Sequence, residues 1–271
     1  MPSGKASRQR RHSVPPPPVR SKGPGGARRR QASPRVLAAG GAVVVAIVVA
    51  VVLAIVLGGG SSSPSLAGIP AVGSLTGGLP EAADVNALFK GIPQSGTTLG
   101  RPSAPVTMVE FIDPQCPYCQ QFETQVLPTL IAKYVRPGAL KITMEPWAFI
   151  GPDSIRGQAA QLAAARQDRA FNFTELLYDN QGTENTGWLT DAMIANVAKS
   201  IPGLEVHTLL DVRSSSGIKA EQKQVAALAT EDKVGGTPTL FVGKTGTQGK
   251  QVDLKSPTDE KSVVAAISAA A

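Results

Sequence analysis

The strongest chemical signal in this chain is a pair of cysteines separated by two residues. Cys116, Pro117, Tyr118 and Cys119 form a CxxC sequence, and the chain has no other cysteine. A β-rich segment ends at Ile112, so a helix that begins near Cys116 would place the first thiol at a helix N-terminus. Unpaired backbone N–H groups and the helix dipole stabilise a thiolate there. Pro117 suits the first helical position, because its missing N–H would have no partner. The pattern therefore predicts a redox-active dithiol.

The two thiols are expected to differ. Cys119 lies one helical turn after Cys116 and shares a helix face with Phe122 and Val126, so it should be shielded. Cys116 is predicted to be exposed, to have a lowered pKa and to attack disulfides. Cys119 is predicted to resolve the resulting mixed disulfide.

Two other uses of a CxxC sequence fit this chain less well. A zinc site normally needs four ligands, and His12 and His207 are both far from the cysteines in sequence. A purely structural disulfide that closes so short a loop would restrain the unfolded chain little. Redox chemistry is therefore the favoured interpretation, with no metal ion and no cofactor.

Glu110 is a candidate for the proton chemistry of this site. Within the predicted strand, Met108, Glu110 and Ile112 share one face, so the carboxyl group would be desolvated and its pKa raised. It precedes Cys116 by six residues and could exchange a proton with Cys119. From the pattern alone, a Glu at the exposed margin of the strand, or one paired with a Lys, is an equally good interpretation.

The charges are segregated along the chain. Ten of the 27 Lys and Arg residues lie before Val36, in a segment without Asp or Glu, which leaves 17 basic against 20 acidic residues and a net charge of −3 for the rest. A nucleic-acid-binding domain should be basic on its folded part, so we do not expect nucleic acid as a partner.

The composition predicts four regions. Residues 1–35 are basic and rich in Pro, Gly and Ser, which predicts a disordered tail. Residues 36–57 carry no charge over 22 positions, enough to span a bilayer as an uncleaved anchor, and the arginines before it predict a cytoplasmic N-terminus. Residues 58–81 are predicted to be a flexible tether, and 82–271 an extracytoplasmic domain. The sequence thus predicts a cell-membrane protein with a single pass, in contact with lipid through its anchor.

Hydrophobic periodicity predicts an α/β domain. The order is strand, kinked helix, strand, a long helical block at about 152–232, two strands and a helix, with the first two strands parallel and the last two antiparallel. The predicted strands are 106–112, 140–144, 239–242 and 251–254, and the flanking helices are 116–134, with a kink at Pro128, and 261–270.

Thr237 and Pro238, before the third of these strands, predict on their own only a turn, because about 5–6% of X–Pro bonds in folded proteins are cis. Taken together with the sequence from Phe111 to Glu123 around the CxxC and with the run from Gly236 to Thr239, however, the chain resembles the DsbA-like thioredoxin-fold proteins. It is most similar to the membrane-anchored branch of bacterial cell-envelope oxidoreductases.

The resemblance implies a thioredoxin fold with an inserted helical domain, preceded here by one transmembrane helix. It also implies a cis bond between Thr237 and Pro238 that faces the cysteines, and a buried acid at Glu110. The implied substrate-binding surface consists of Thr237, Pro238, Pro117 and Tyr118, with the Thr237 backbone free to pair with an extended substrate strand.

The implied activity is thiol–disulfide exchange, most simply the formation of disulfides in exported proteins through a Cys116–Cys119 redox disulfide. A DsbB-like or vitamin K epoxide reductase-like membrane protein would then reoxidise it. The same chemistry run as a reductase or isomerase is an alternative, and an anchored binding or chaperone-like protein is an alternative of another class. The best-studied DsbA enzymes have His where this chain has Tyr118, so we expect a less oxidising pair.

Overall fold

The computed structural model describes residues 67–271. The predicted tail and anchor, and residues 58–66 of the predicted tether, lie outside this range. No helix between residues 67 and 271 combines the length and the apolar character needed to cross a membrane. The helices are α1 (Ala82–Phe89), α2 (Pro117–Gln125), α3 (Leu127–Leu130), α4 (Pro152–Ala165), α5 (Ala170–Asp179), α6 (Asp191–Lys199), α7 (Val206–Val212), α8 (Ser216–Glu231) and α9 (Glu260–Ala270). The strands are β1 (Gln94–Ser95), β2 (Thr98–Leu99), β3 (Val106–Ile112), β4 (Leu140–Pro146), β5 (Thr239–Lys244) and β6 (Lys250–Gln251).

One mixed sheet organises the domain, in the order β1-β2-β4-β3-β5-β6. The central strand β3 runs parallel to β4 and antiparallel to β5, and β5 pairs antiparallel with β6. The predicted directions of the strand pairs are therefore confirmed. Because β3 and β4 are parallel, the loops after both strands meet at one edge of the sheet, which is where the CxxC sequence lies.

The long helical block enters the chain between β4 and β5, as α4 to α8. Its helices pack on one another and, through α5, on α1 and α2. Thr190 is the N-cap of α6, and its hydroxyl accepts a hydrogen bond from the Met193 N–H at 3.1 Å. Ser215 is the N-cap of α8, and its hydroxyl accepts from the Ile218 N–H at 3.3 Å. Such caps satisfy N–H groups that have no partner inside the helix.

The predicted kink after the CxxC is present and has the expected cause. The helix α2 ends at Gln125 and α3 begins at Leu127, with Pro128 in its first turn, where its missing N–H costs little. A π-helical turn, Ile131–Val135, follows directly. The break leaves α2 as a short separate helix whose N-terminus points at the active site.

The structure corrects two details of the predicted elements. The last strand is Lys250–Gln251, which is shorter than predicted. The Val252 N–H still donates a hydrogen bond to Leu240 C=O, but Val252–Leu254 lie outside the strand. The helix α1 and the hairpin of β1 and β2 were not predicted, because each is too short for a hydrophobic period to appear.

The prediction of a flexible tether is wrong for its last residues. Gly73 N–H donates to Leu204 C=O at 2.8 Å, and Val206 N–H donates to Ala71 C=O at 2.7 Å. The His207 imidazole lies 2.9 Å from the carbonyl oxygen of Ile69. A segment poor in side-chain signals is therefore held by its backbone against the start of α7, which composition could not show.

Candidate active site

The loop between β3 and α2 brings the first cysteine to the edge of the sheet. Cys116 is the N-cap of α2 and Pro117 is its first helical residue, as predicted. The loop is held by the buried carboxylate of Asp113, which accepts hydrogen bonds from the Gln115 N–H at 2.8 Å and the Ser154 hydroxyl at 2.7 Å. Asp113 also accepts from the Phe149 N–H at 2.9 Å, so it ties the loop after β3 to the loop after β4.

The helical block supports the same loop from the other side. The buried Tyr178 hydroxyl on α5 donates to Asp113 C=O at 2.8 Å. The side-chain amide of Gln181 donates to Pro114 C=O at 3.2 Å and to Cys116 C=O at 3.3 Å. Sequence reasoning missed Asp113, Tyr178 and Gln181, because their roles depend on contacts between segments distant in the chain.

Both cysteines are free thiols, and both are buried. Cys119 is fully buried, as predicted, but the exposed fraction of Cys116 is only 4%. The prediction of an exposed Cys116 is therefore wrong. The loop of Thr237 covers it, since the Cys116 Sγ donates a hydrogen bond to Thr237 C=O at 3.3 Å.

The pKa values of the two thiols nevertheless diverge in the predicted directions. A hydrogen bond from the Cys119 thiol, then contributions from Thr237 and from the backbone N–H groups of Cys119 and Tyr118, lower the pKa of Cys116 to about 6, against the opposing effect of burial. Burial first, and the proximity of Cys116 second, raise the pKa of Cys119 well above 9.0. Near neutral pH, Cys116 is therefore mainly a thiolate, whereas Cys119 is a thiol.

The peptide bond between Thr237 and Pro238 is cis, as the resemblance implied. It faces the thiol of Cys116, which contacts the Thr237 carbonyl. Pro117 and Tyr118 lie on the open side of the same site, with 57% of Tyr118 exposed. Cys116, Pro117, Tyr118, Thr237 and Pro238 thus converge on one surface, although β5 follows β3 by more than a hundred residues.

Glu110 is fully buried, which removes the alternative of an exposed or Lys-paired side chain. Neither of its carboxyl oxygens has a hydrogen-bond partner within the described part of the chain. Burial first, and then the charges of Glu123 and Glu175, raise its pKa well above the usual 4.5. Glu110 therefore keeps its proton to a higher pH than an exposed glutamic acid does.

Glu123 and Glu175 are further buried acids that sequence reasoning missed. Burial raises the pKa of Glu123 to about 8. Burial, together with the charges of Glu123 and Asp179, raises the pKa of Glu175 well above its usual value. One signal was present for Glu123, because it lies four residues after Cys119 on the inward face of α2. No group of three or more His, Cys, Asp or Glu side chains between residues 67 and 271 is placed to hold a metal ion.

Comparisons with known proteins agree with this arrangement. Residues 94–264 match the sequence model of a family described as Thioredoxin. The "Probable disulfide bond formation protein D" of Bacillus anthracis is 32% identical over 148 residues, which cover 54% of this chain and 68% of that protein.

Solved structures show the same fold. Oxidised BdbD from Bacillus subtilis superposes with a TM-score of 0.58 at 23% identity, covering 66% of this chain and 96% of that one. DsbA from Chlamydia trachomatis superposes with a TM-score of 0.55 at 22% identity, covering 64% and 90%. The mixed sheet with its helices is thus a thioredoxin-like α/β fold. With its CxxC at the N-terminus of α2, the chain belongs to the DsbA-like thioredoxin-fold family, and it is a thiol–disulfide oxidoreductase.

Proposed function

We propose that this enzyme forms disulfide bonds in exported proteins. The observation that carries the proposal is the lowered pKa of Cys116 beside the raised pKa of Cys119. A stabilised Cys116 thiolate favours the dithiol form over the disulfide, which makes the pair an oxidant of other thiols. The name of the Bacillus anthracis relative, a disulfide bond formation protein, supports the same direction.

The proposed reaction has two exchanges. A substrate thiolate attacks Cys116 in the Cys116–Cys119 disulfide, which forms a mixed disulfide and releases the Cys119 sulfur as a thiolate. Because the pKa of Cys119 is high, this sulfur takes up a proton. A second substrate thiolate then attacks the substrate sulfur of the mixed disulfide and releases the Cys116 thiolate. The substrate loses two electrons, and the enzyme gains them as a dithiol.

Glu110 is proposed to supply the proton that Cys119 takes up. Its pKa is raised by burial and by the charge of Glu123 on α2, and a protonated carboxyl group can donate to a thiolate and recover the proton when the thiol is oxidised. Asp113 cannot serve in this way, because its two oxygens accept hydrogen bonds from the surrounding loops.

Substrate is proposed to bind along the loop of the cis bond. When Cys116 is protonated, its thiol donates a hydrogen bond to Thr237 C=O at 3.3 Å. As a thiolate or in a disulfide, Cys116 has no proton to donate, so this carbonyl is available to an extended substrate segment. Pro238 has no N–H to compete, and the exposed ring of Tyr118 with Pro117 would border the bound segment.

This activity can be tested with the oxidised full-length chain and a reduced, unfolded protein that has two cysteines. We expect stoichiometric disulfide transfer at least about tenfold faster than with glutathione disulfide, because the Cys116 sulfur is a better leaving group. Alkylation of free thiols over time measures the transfer. A chain that only reduces substrate disulfides would be a reductase instead, and a chain that binds unfolded protein without exchange would contradict the proposal.

The site of action is proposed to be the outer face of the cell membrane. The uncharged segment 36–57, with basic residues on its N-terminal side, supports an anchor with a cytoplasmic N-terminus. A membrane protein of the DsbB-like or vitamin K epoxide reductase-like kind would there reoxidise the dithiol and accept its electrons.

A reporter fusion tests this orientation. We expect an enzyme that needs an oxidising exterior to be active when fused after Ala271, and a reporter that works only in the cytoplasm to be inactive there. Replacing the arginines 28–30 with glutamates should weaken the preference for a cytoplasmic N-terminus, because cytoplasmic basic residues set the orientation. Activity of only the cytoplasmic reporter in the unmodified chain would overturn both the orientation and the exported substrates.

A further inference from the structure

Two packed helices, α2 and α5, each carry a pair of ionisable side chains four residues apart. On α2, Cys119 and Glu123 are four residues apart, and on α5, Glu175 and Asp179 are four residues apart, so each pair lies on one helix face. The helix α2 packs directly on α5. Cys119, Glu123 and Glu175 are buried, whereas Asp179 at the end of α5 is exposed.

The inner end of this row lies at Glu110. In the sheet, Glu110 of β3 stands beside Met144 of β4. The Thr174 hydroxyl on α5 contacts the Met144 sulfur at 3.5 Å. The backbone of the next residue, Glu175, is therefore close to the same pair of strands. The charges of Glu123 and Glu175 both raise the pKa of Glu110, which shows that the three carboxyl groups are close neighbours.

The outer end of the row reaches solvent at the start of α1. The charge of Asp179 raises the pKa of Glu175, and burial followed by the charges of Glu81 and Asp84 raises the pKa of Asp179 to about 6. Asn180 donates to the Glu81 carboxylate at 3.3 Å, so these residues meet at one surface. Within residues 67–271, none of Glu110, Glu123, Glu175 and Asp179 forms a salt bridge.

Buried carboxyl groups without partners are costly and need a reason. One oxygen of Glu123, one of Glu175 and both of Glu110 have no hydrogen-bond partner among the described residues. A structural role would be met better by an amide or an apolar side chain. A row of acids with raised pKa values can instead pass a proton from one member to the next, since each carboxyl group can hold the proton in turn.

We propose that Glu175 and Asp179 complete a proton path between Cys119 and solvent, through the Glu110–Glu123 pair. The proposal rests on the proposed function and extends it. When substrate reduces the enzyme, Cys119 leaves as a thiolate and gains one proton from the path, which Asp179 replaces from water. When the redox partner accepts two electrons, Cys119 gives one proton back by the same path as its sulfur bonds to Cys116.

With an aromatic disulfide, the reactions of the two thiols can be followed as two separate steps. With 2,2′-dipyridyl disulfide, the Cys116 thiolate releases one pyridinethione, and Cys119 then attacks Cys116, loses its proton and releases a second. We expect Glu175→Gln in the full-length chain to slow the second release about tenfold and to leave the first within about twofold. Asp179→Asn should slow only the second release, by a smaller factor.

Matched variants separate the path from a structural effect. Glu175→Asp keeps an ionisable group and should restore most of the second rate, whereas Asp211→Asn, an exposed carboxylate on α7, should change neither rate. Thermal melts check folding, and the exposed Asp179 keeps the test available if Glu175→Gln does not fold. Equal second rates in wild type, Glu175→Gln and Asp179→Asn between about pH 5 and about pH 9 would overturn the path. Parallel slowing of both releases would also overturn it. A wild-type chain that never makes the second release would instead contradict the proposed function.

Discussion

Replacing Cys119 with serine is expected to convert the enzyme into a trap for its reaction partners. The Cys116 thiolate remains and still attacks disulfides, but Cys119 can no longer displace the captured molecule. Mixed disulfides on Cys116 should therefore accumulate, and turnover should fall by at least about a thousandfold, as expected when a member of a reactive pair is removed. Non-reducing gels of the full-length chain after acid quench, followed by mass spectrometry, measure the adducts.

The matched control is Cys116→Ser. The remaining Cys119 is fully buried, and its pKa is raised well above 9.0, so it should form few adducts near neutral pH. Equal trapping by the two variants would contradict the assignment of attacking and resolving thiols. Cys116 and Cys119 are both buried, so a difference in trapping between the two variants would reflect the reactivity of the thiols and not their exposure.

Replacing Glu110 with glutamine is expected to slow the enzyme while making it more stable. Glutamine has nearly the shape of a protonated glutamic acid but cannot exchange a proton with Cys119. The second release from dipyridyl disulfide should slow by at least about tenfold, whereas the first, which depends on Cys116, should change little.

The stability change follows from the direction in which the pKa of Glu110 moves on folding. The folded state keeps a proton on Glu110 that the unfolded chain releases above the usual pKa of 4.5. Native stability is therefore lost as pH rises from that value toward the folded pKa, and Gln, which does not ionise, avoids this loss. Glu110→Gln should therefore be more stable than wild type at pH 8, by up to about 1.4 kcal/mol for each unit by which folding raises the pKa of Glu110, and equal to it near pH 4.

Urea unfolding at the two pH values measures this difference, and Glu145→Gln provides the control. Glu145 lies on β4, and burial followed by the charge of Asp232 raises its pKa to about 7. Its neighbour across the sheet is Phe111, on the face opposite to Glu110. Glu145→Gln should therefore also stabilise the domain above neutral pH, by less, without slowing the second release. A Glu110→Gln enzyme with wild-type kinetics would show that the carboxyl group has no part in the exchange.

The elements around the active site were predictable because their signals are local. The β-rich composition from Val106 to Ile112 predicted β3 with its observed bounds. The preference of proline for the first helical turn placed Pro117 and explained the break at Pro128. In contrast, β1 and β2 are two residues long, and the segment near Gly73 is held by backbone hydrogen bonds, so neither has a side-chain pattern to find.

By itself, the sequence determined the identity and order of the two thiols, since the spacing of Cys116 and Cys119 places them one turn apart at the start of a helix. It also determined that Glu110 shares a strand face with apolar residues. Only the tertiary structure decided how these groups behave. A pKa depends on burial and on every charge and hydrogen bond within a few ångströms, and for Cys116 and Glu110 some of those partners, Thr237 and Glu175, are distant in the chain. The low exposure of Cys116 and the row of acids on α2 and α5 are consequences of packing between segments, for which the order of residues in either segment carries no signal.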